Sequence, residues 1–364
     1  MRKIKLATVF SGIGAIEQAL IKEKIEFDVV FACDNGERTI KESKEEIDNY
    51  CNKHNYSSLE KQNYVKKLYE KTKKTNYVKQ SYFANYDILE KNWHDDIRFI
   101  DGKQYKGKVD LFVGGSPCQS FSNMGKRGGL EDTRGTLFYE FARLVKEMKP
   151  NVFIYENVPG MLNHDGGNTW NVIKNVFDEL GYSINHTLLN SKDYGIPQSR
   201  TRLYVVGFQN KKSFKFPSPI KSELTMFDFL ESSVEPKYYL REKGFKFVTQ
   251  NTARAKVNED IIRTQKANQQ FNWNGNFVFQ EIKNIPNAKE VLERAYVGTF
   301  KGNKGVARLL TPRECLRLMG FSDEFKIAVP DLHMYRQSGN SIVVNVLQNI
   351  LKEIIKTGVF NEKD

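Results

Sequence analysis

A lone thiol follows a short apolar run in the stretch VDLFVGGSPC, which ends at Cys118. The apolar residues predict a strand, Gly114 and Gly115 leave room for a ligand, and Pro117 restricts the backbone before the thiol. A single cysteine is by itself more typical of an inert buried side chain than of a nucleophile. Beyond a strand end, where backbone amides can favour the thiolate, it could act in nucleophilic catalysis.

A carboxylate and two guanidinium groups occur in segments that could complete such a site. Glu156 ends the apolar run in NVFIYENV, where burial would raise its pKa into the range of a general acid, although a turn acid explains it equally well alone. We expect Asn157 to orient it. In PQSRTRLY, period-two alternation would place Gln198, Arg200 and Arg202 on one side of an extended segment. The arginines would hold an anion or a base carbonyl, or form structural ion pairs.

The first glycines of the chain lie where a nucleoside could approach the backbone. FSGIG places Gly12 and Gly14 directly after a predicted strand, and Asp34 ends the next strand, where an acid can bind ribose hydroxyl groups. The full GxGxxG pattern is missing, which indicates a nucleoside-bearing cofactor without a pyrophosphate. An ordinary strand–helix turn and a surface acid are the alternative interpretation.

Strands and helices must alternate to bring these residues together. The predicted strands are IKLATVF, FDVVFACD, VDLFVGG, PNVFIYENV, SINHTLLNSKDYG and RTRLYVVGF, and the predicted helices are SGIGAIEQAL, TLFYEFARLVKEM and TWNVIKNVFDELGY. This order predicts an α/β fold with a doubly wound, mostly parallel sheet. Ligands of such sheets bind beyond the carboxyl ends of the strands, which is where Cys118, Glu156 and Asp34 fall.

Two segments depart from the alternation. Residues 41–81 carry ten Lys against six acids, and we interpret them as an exposed helical insertion, either a solvated face or a DNA contact. Residues 209–306 carry 17 Lys plus Arg against 10 acids without clear periodicity, which predicts a separate irregular domain. After it, Thr311 and Pro312 begin a helix, and SGNSIVVNVLQNILKEIIKTG is predicted to form one final amphipathic helix.

The composition narrows the class of protein. The chain has 364 residues and a formal net charge of +12. That charge suggests a polyanionic partner, although the abundance of Lys, Asn, Ile and Tyr is also what an AT-rich genome produces. Four widely spaced cysteines without a CxxC pair or a His cluster fit a reducing cytosol, and we expect no metal and no disulfide framework. We also expect no signal peptide and no membrane span.

Together the motifs resemble those of the bacterial modification-type DNA (cytosine-5) methyltransferases. FSGIG is similar to the family's first cofactor motif, GGSPCQSFS to its nucleophile motif, ENV to its acid motif and QSRTR to its QxRxR motif. RLLTPRECLRLMGF and QSGNSIVVNVL are similar to its last two motifs. The resemblance covers residues 1–40, 95–208 and 306–350, and it is specific because the motifs occur together in the family's order.

The resemblance implies a Rossmann-like, S-adenosylmethionine-dependent enzyme that methylates C5 of a flipped-out cytosine within a short sequence of double-stranded DNA. It implies that Cys118 attacks C6 of the base and that Glu156 hydrogen-bonds or protonates N3. Arg202 would contact O2, and Arg200 would support Glu156 and the frame of the site. C5 would then take the methyl group, and loss of the C5 proton would expel Cys118.

The resemblance also implies binding residues. For the cofactor these are Phe10, Gly12, Ile13, Gly14, Asp34, Asp96, Asn340 and Ser341. Asp34 stands where the family usually has Glu, and Asp87 is the alternative to Asp96 on the adenine side. For DNA they are Gln119, Ser122, Lys126, Arg127 and Gln198. Lys126 and Arg127 belong to a glycine-rich loop that would close over DNA phosphates.

The family's domain order implies a catalytic and cofactor-binding domain over 1–215, completed by 331–364. A target-recognition domain would occupy 216–310, with a hinge over 311–330. Thr299 is the candidate for the family's Thr-containing recognition pattern, and the recognised DNA sequence stays open.

A modification enzyme that acts as a monomer in the bacterial cytosol and at the nucleoid, paired with a restriction endonuclease, is the expected biological setting. The alternatives are an orphan regulatory DNA methyltransferase and a tRNA cytosine-5 methyltransferase, whose typical Cys-Phe-Thr element is missing from the recognition region here. A nicotinamide-dependent oxidoreductase would use the same sheet but gives PCQ and ENV no role. A catalytically silent DNA-binding homologue is disfavoured because Cys118, Glu156 and the QxRxR residues are intact.

Overall fold

A computed structural model describes residues 2–116, 137–268 and 273–361. Its strands are, in chain order, β1 (Ile4–Val9), β2 (Phe27–Cys33), β3 (Trp93–His94), β4 (Leu111–Gly114), β5 (Val152–Asn157), β6 (Ser183–Asn190), β7 (Gln198–Ser199), β8 (Thr201–Phe208), β9 (Lys256–Val257), β10 (Ile262–Arg263), β11 (Asn276–Glu281), β12 (Gly298–Phe300) and β13 (Asn303–Leu309). Its helices are α1 (Ala15–Lys22), α2 (Lys44–Lys53), α3 (Ser58–Lys71), α4 (Tyr77–Asn85), α5 (Leu137–Met148), α6 (Asn168–Glu179), α7 (Glu242–Gln250), α8 (Ala288–Leu292), α9 (Pro312–Arg317), α10 (Asp331–Asn340) and α11 (Val344–Lys356).

The chain packs into two compact units. The first unit comprises Met1–Leu189, Thr201–Ser218 and Leu347–Asp364, and the second comprises Asn190–Arg200 and Pro219–Val346. The two units are defined only by how densely their residues contact one another. The division by function into a catalytic domain, a recognition domain and a hinge therefore stays a prediction.

The first unit is built on a sheet whose described strands run in the order β3-β2-β1-β4-β5-β8-β6. The pairs among β3, β2, β1, β4 and β5 are parallel, and β8 runs antiparallel to β5. The predicted α/β fold with a mostly parallel sheet is therefore confirmed. The strand order reverses between β1 and β4, so their carboxyl ends form the crevice where such sheets bind ligands.

Helix α5 packs against β4 and so helps to position the carboxyl end of that strand. Its apolar residues recur at helical spacing and face the sheet, as predicted. Phe112 of β4 stacks on Phe141 of α5 with ring centres 4.6 Å apart. Each fully buried side chain of this size contributes about 1.5–3 kcal/mol to folding. The wholly buried apolar residues of this helix are Phe138, Phe141, Ala142, Leu144, Val145 and Met148.

Residues 44–85, which form α2, α3 and α4, are called the helical insertion below. Ser43 and Ser57 begin the first two helices with reciprocal capping bonds to Glu46 and Glu60. The prediction of helix is confirmed, but the segment is more than an exposed face. It buries a small apolar cluster consisting of Ile47, Cys51, Val65, Leu68, Tyr69 and Phe99.

The second unit carries a sheet with the described order β12-β13-β11-β9 and a separate β7/β10 pair. Helix α9 begins as predicted, with Thr311 as its N-cap and Pro312 in its first turn. Arg308 and Glu314 form a wholly buried ion pair at 2.8 Å. Thr311 N–H also donates to Glu314, at 2.8 Å, so the carboxylate charge is satisfied from two sides.

The prediction of one final helix from SGNS onward is wrong. Helix α10 ends at Asn340, Ser341 is extended, and α11 begins at Val344. Gly339 packs so closely on the neighbouring backbone that a Cβ would lie 2.5 Å from Ala267 N. The chain breaks here because the carbonyl groups of Gly339 and Ser341 bind a buried guanidinium instead of continuing a helix.

No helix in the described part of the chain is both long and apolar enough to cross a membrane. Within the same ranges, no three His, Cys, Asp or Glu side chains cluster as metal ligands would.

Candidate active site

The predicted cofactor loop has an unusual backbone at the carboxyl end of β1. Phe10, Gly12 and Gly14 all have positive φ angles, of 51°, 52° and 76°. Gly14 N–H donates to Ser11 O at 3.0 Å, which closes the turn into α1. At Gly14 a Cβ would also lie 2.2 Å from the Tyr86 ring, so glycine is required there twice over.

Asp34 is bound to this loop. Its Oδ2 accepts from Gly12 N–H at 3.0 Å and its Oδ1 from Gly36 N–H at 2.8 Å. Burial raises the pKa of Asp34, and the two amide bonds partly oppose that rise. Because each carboxylate oxygen has two lone pairs, Asp34 retains acceptor capacity for a ribose hydroxyl group.

Asp96 lies at the next strand end. It follows β3, which pairs with β2 through Cys33 and His94. The Asp96 carboxylate is buried and accepts from Arg98 at 2.6 Å and from Tyr69 Oη at 2.8 Å. The alternative acid, Asp87, is exposed. Burial beside the strand end that carries Asp34 supports Asp96 over Asp87, and the choice stays a prediction.

Glu156 and Arg202 meet at the carboxyl end of β5. Arg202 Nε lies 3.2 Å from Glu156 Oε1, and both side chains are mostly buried. A Cβ on Gly115 would lie 3.0 Å from Glu156 Oε2 and 2.7 Å from its carbonyl oxygen. Glycine after β4 therefore leaves room for the carboxylate. The residues that lead from Gly115 to Cys118 are called the thiol segment below. Gly115 lies beside Glu156 because β4 and β5 are parallel neighbours.

Asn157 holds the start of the thiol segment. Its Nδ2 donates to Ser116 O at 2.9 Å and to Tyr155 Oη at 3.1 Å. Ser116 Oγ lies 2.6 Å from the same Tyr155 hydroxyl. We expected Asn157 to orient Glu156, but these bonds anchor Ser116, two residues before Cys118.

Gln198 and Arg200 belong to the second unit, while Arg202 belongs to the first. The expectation that all three lie on one side of an extended segment is wrong, because the chain leaves the β7/β10 pair and enters the large sheet at Thr201. Period-two alternation holds within one strand and does not extend across such a change of sheet.

Gln198 is wholly buried. Its amide donates to Leu318 O at 2.8 Å, and its Oε1 accepts from Gln265 N–H at 2.9 Å. These bonds indicate a frame role, and a direct contact of Gln198 with DNA stays a prediction.

Arg200 binds main-chain oxygens within the second unit. Its guanidinium donates to Gln265 O at 3.1 Å, Gly339 O at 3.2 Å and Ser341 O at 2.7 Å. Arg200 therefore holds the turn that carries Asn340 and Ser341. Asn340 is exposed and Ser341 is buried. The contacts seen for Arg200 fit support of the frame, and in the first unit the ion pair with Glu156 comes from Arg202.

Five predicted residues lie outside the described ranges, namely Cys118, Gln119, Ser122, Lys126 and Arg127. Their assignments therefore stay predictions from the sequence.

Two residues near the cofactor loop were missed by sequence reasoning. Tyr86 Oη lies 2.9 Å from Ile13 O and 2.8 Å from Gly14 O, and its one hydroxyl proton, shared between the two carbonyl groups, anchors the loop. Glu17 of α1 is wholly buried and accepts from Tyr82 Oη and, at 3.5 Å, from Thr8 Oγ1. No spacing pattern signals either residue, because their partners lie far apart in the chain.

Because Glu17 is buried, we expect it to make the free energy of unfolding depend on pH. Burial raises its pKa to about 7, despite the opposing bond from Tyr82. Between an ordinary pKa near 4.5 and about 7, the folded protein keeps a proton that the unfolded chain has lost, so rising pH favours unfolding. We expect the stability of Glu17→Gln relative to wild type to increase by about 2 kcal/mol between roughly pH 5 and pH 8.

Urea unfolding of both proteins across that range measures this difference. The comparison is needed because burial lowers the pKa of His94 to about 4, which makes stability rise with pH over part of the same range. The His94 contribution is common to both proteins and cancels. A constant difference across the range would show that Glu17 does not titrate as inferred.

Comparison with known proteins identifies the family. The model of the C-5 cytosine-specific DNA methylase family matches residues 57–356. The chain belongs to this family. The Type II methyltransferase M.SsoII of Shigella sonnei is 37% identical to it over 289 residues, covering 76% of this chain and 71% of that protein. The Type II methyltransferase M.HhaI of Haemophilus parahaemolyticus is 36% identical over 254 residues, covering 67% and 75%.

Two other known proteins are similar to this chain over all or nearly all of its length. The orphan methyltransferase M.SPRI of Bacillus phage SPR is 29% identical over an alignment of 479 residues that covers both chains fully. The crystal structure of S. pombe Dnmt2 methyltransferase has a TM-score of 0.66 at 18% identity, covering 98% of this chain and 99% of that one, which shows a shared fold. The chain is a DNA (cytosine-5) methyltransferase, and its family and fold imply S-adenosylmethionine as cofactor.

Proposed function

We propose that this protein methylates C5 of a flipped-out cytosine in one short sequence of double-stranded DNA through a covalent adduct with Cys118. The observation that carries the proposal is the pair of Glu156 and Arg202, which lies beside Gly115 where the thiol segment begins. A mostly buried acid held by a guanidinium at that strand end has the chemistry needed to activate a pyrimidine ring.

The cofactor residues fit S-adenosylmethionine. Positive φ at Phe10, Gly12 and Gly14 lets the backbone approach a ligand. Asp34 offers a carboxylate for ribose hydroxyl groups, and Asp96 offers one for the adenine amino group. When bound, the cofactor supplies an electrophilic methyl group on its sulfonium sulfur.

Cys118 and Glu156 would make the cytosine reactive. Attack of the thiolate on C6 forms an S–C6 bond, and the ring electrons move through C4 to N3. Glu156 donates a proton or a hydrogen bond to N3, so the ring becomes an enamine with a nucleophilic C5. After C5 gains the methyl group, loss of the C5 proton breaks the S–C6 bond and releases Cys118. The base must leave the helix to be reached.

Arg202 would hold Glu156 in place through the observed ion pair and contact O2 of the base. Arg200 would act as a positioning residue, because its three carbonyl partners include both residues that flank Asn340. Residues 216–310 are proposed to recognise the target sequence, with Thr299 exposed on β12. The glycine-rich loop with Lys126 and Arg127 is proposed to contact phosphates.

A restriction–modification role is supported by the Type II relatives M.SsoII and M.HhaI. A second candidate, an orphan enzyme without a partner endonuclease, is favoured by the full-length similarity to the orphan methyltransferase M.SPRI.

The test is bisulfite sequencing of DNA from cells whose only cytosine methyltransferase is this protein. We expect 5-methylcytosine confined to one short sequence. Unmethylated DNA together with methylated tRNA would replace the proposal with the tRNA alternative. Cells that grow normally with the active enzyme but die when a neighbouring endonuclease is expressed without it would support restriction–modification over the orphan role.

A further inference from the structure

Helix α3 of the helical insertion contacts Asp96, the acid that is predicted to bind the adenine. Tyr69 of α3 is buried, and its Oη donates to Asp96 Oδ2 at 2.8 Å. Arg98 donates to the same carboxylate at 2.6 Å. Asp96 is therefore held by its near neighbour and also by a hydroxyl from a helix that lies outside the alternating strands and helices.

The insertion also holds the turn that carries Asp34. Asn76 caps α4 by accepting from Lys79 N–H at 2.9 Å, and its Nδ2 donates to Asp34 O at 2.9 Å. Gly36, with a φ of 61°, packs so closely on Asn76 that a Cβ would lie 2.2 Å from Asn76 Oδ1. Gly36 N–H is one of the two donors to the Asp34 carboxylate.

The buried side chain of Arg38 connects the surroundings of Tyr69 with those of Asn76. Arg38 forms a buried ion pair with Asp95, to which Asn76 Nδ2 also donates at 3.3 Å. The Arg38 guanidinium lies 4.9 Å from the centre of the Tyr69 ring, and its Nε donates to Asn35 O at 2.9 Å. The residues around both acids thus form one connected polar network, in which a lost donor leaves a buried acceptor unsatisfied.

We propose that Tyr69 and Asn76 of the helical insertion are positioning residues that set the affinity for S-adenosylmethionine by holding Asp96 and Asp34. This inference rests on the proposed function, in which these two acids bind the adenine and the ribose of one cofactor. The insertion then acts on cofactor binding rather than as a solvated face or a DNA contact.

The test compares Tyr69→Phe and Asn76→Ser with wild type. The first variant removes only a hydroxyl donor, and the second keeps a helix-capping side chain but removes the amide donor. Tyr64→Phe is the matched control, because Tyr64 lies on the same helix and stacks on Tyr50 at 4.7 Å. Calorimetry gives the Kd for S-adenosylmethionine, steady-state kinetics give kcat and KM, and thermal melts report folding.

We expect each variant to raise the cofactor Kd and KM about tenfold, with kcat at saturating cofactor and the DNA KM unchanged. Tyr64→Phe should match wild type. In an Asp96→Asn background, Tyr69→Phe should cost no further affinity, because it acts through that carboxylate.

Two results would overturn this inference while leaving the proposed function intact. One is wild-type cofactor affinity in both folded variants, and the other is a fall in kcat with no change in KM. If Tyr69→Phe unfolds, Asn76→Ser alone decides by the same readouts. Failure of the wild-type protein itself to bind S-adenosylmethionine would refute the proposed function together with this inference, and it is detected before any variant is made.

Discussion

Cys118→Ser should abolish methyl transfer while leaving DNA binding within about threefold of wild type. A serine hydroxyl is neutral at working pH and attacks C6 poorly, so we expect turnover to fall by at least about a thousandfold. The two side chains have nearly the same shape, so contacts with the flipped base should survive. Transfer of a labelled methyl group to DNA measures the first effect, and gel-shift titration measures the second.

A trapping experiment checks the nucleophile directly. In DNA with 5-fluorocytosine at the target, C5 carries no proton to lose, so the adduct should persist and be found on Cys118 by peptide mass spectrometry. Cys118→Ser should form none. The thiols at Cys33, Cys51 and Cys315 are buried, which makes adducts at those positions unexpected. Methylation without any covalent complex would remove Cys118 from the mechanism.

Glu156→Gln should lower kcat by about a hundredfold to ten-thousandfold, the usual contribution of a positioned general acid. The amide keeps the size of the side chain but cannot pass a proton to N3 during the reaction, and in the free enzyme it lacks the carboxylate charge that pairs with Arg202 at 3.2 Å. The cofactor Kd should stay within about twofold, because Glu156 is assigned to the base. Single-turnover methylation and cofactor titration of the same preparation separate these two effects.

Glu147→Gln is the matched control for that experiment. Glu147 also pairs with an arginine in the first unit, since Arg143 lies 2.8 Å away, but it sits on α5 rather than at a strand end. We expect it to keep wild-type turnover. If both variants lose activity equally, or if Glu156→Gln turns over normally, Glu156 is not the acid.

Much of the fold could be predicted because burial imposes local periodicity. The apolar spacing in TLFYEFARLVKEM predicted the buried face of α5, and all six predicted strands are present. The positions of Asp34 and Glu156 at the carboxyl ends of β2 and β5 could be predicted for the same reason, since each residue comes directly after an apolar run. Parallel strands bring their carboxyl ends to one edge of the sheet.

The arrangement of QSRTR could not be predicted in this way. The five letters read as one extended segment, yet Gln198 and Arg200 are fixed by main-chain groups of Leu318, Gln265 and Ser341. Those partners are more than 60 positions away in the chain, so no local pattern reports them.

The sequence by itself determined the family and the sheet, because motif order and apolar spacing are written locally in the chain, and the proposal for the reacting groups comes from the same motifs. Only the tertiary structure decided which arginine pairs with Glu156. It also decided that a lysine-rich insertion, by composition a solvated face, places Tyr69 on Asp96 and Asn76 on Asp34. The physical reason is the same in each case: a buried polar group takes its partner from whatever packs against it, and packing joins residues that sequence spacing does not relate.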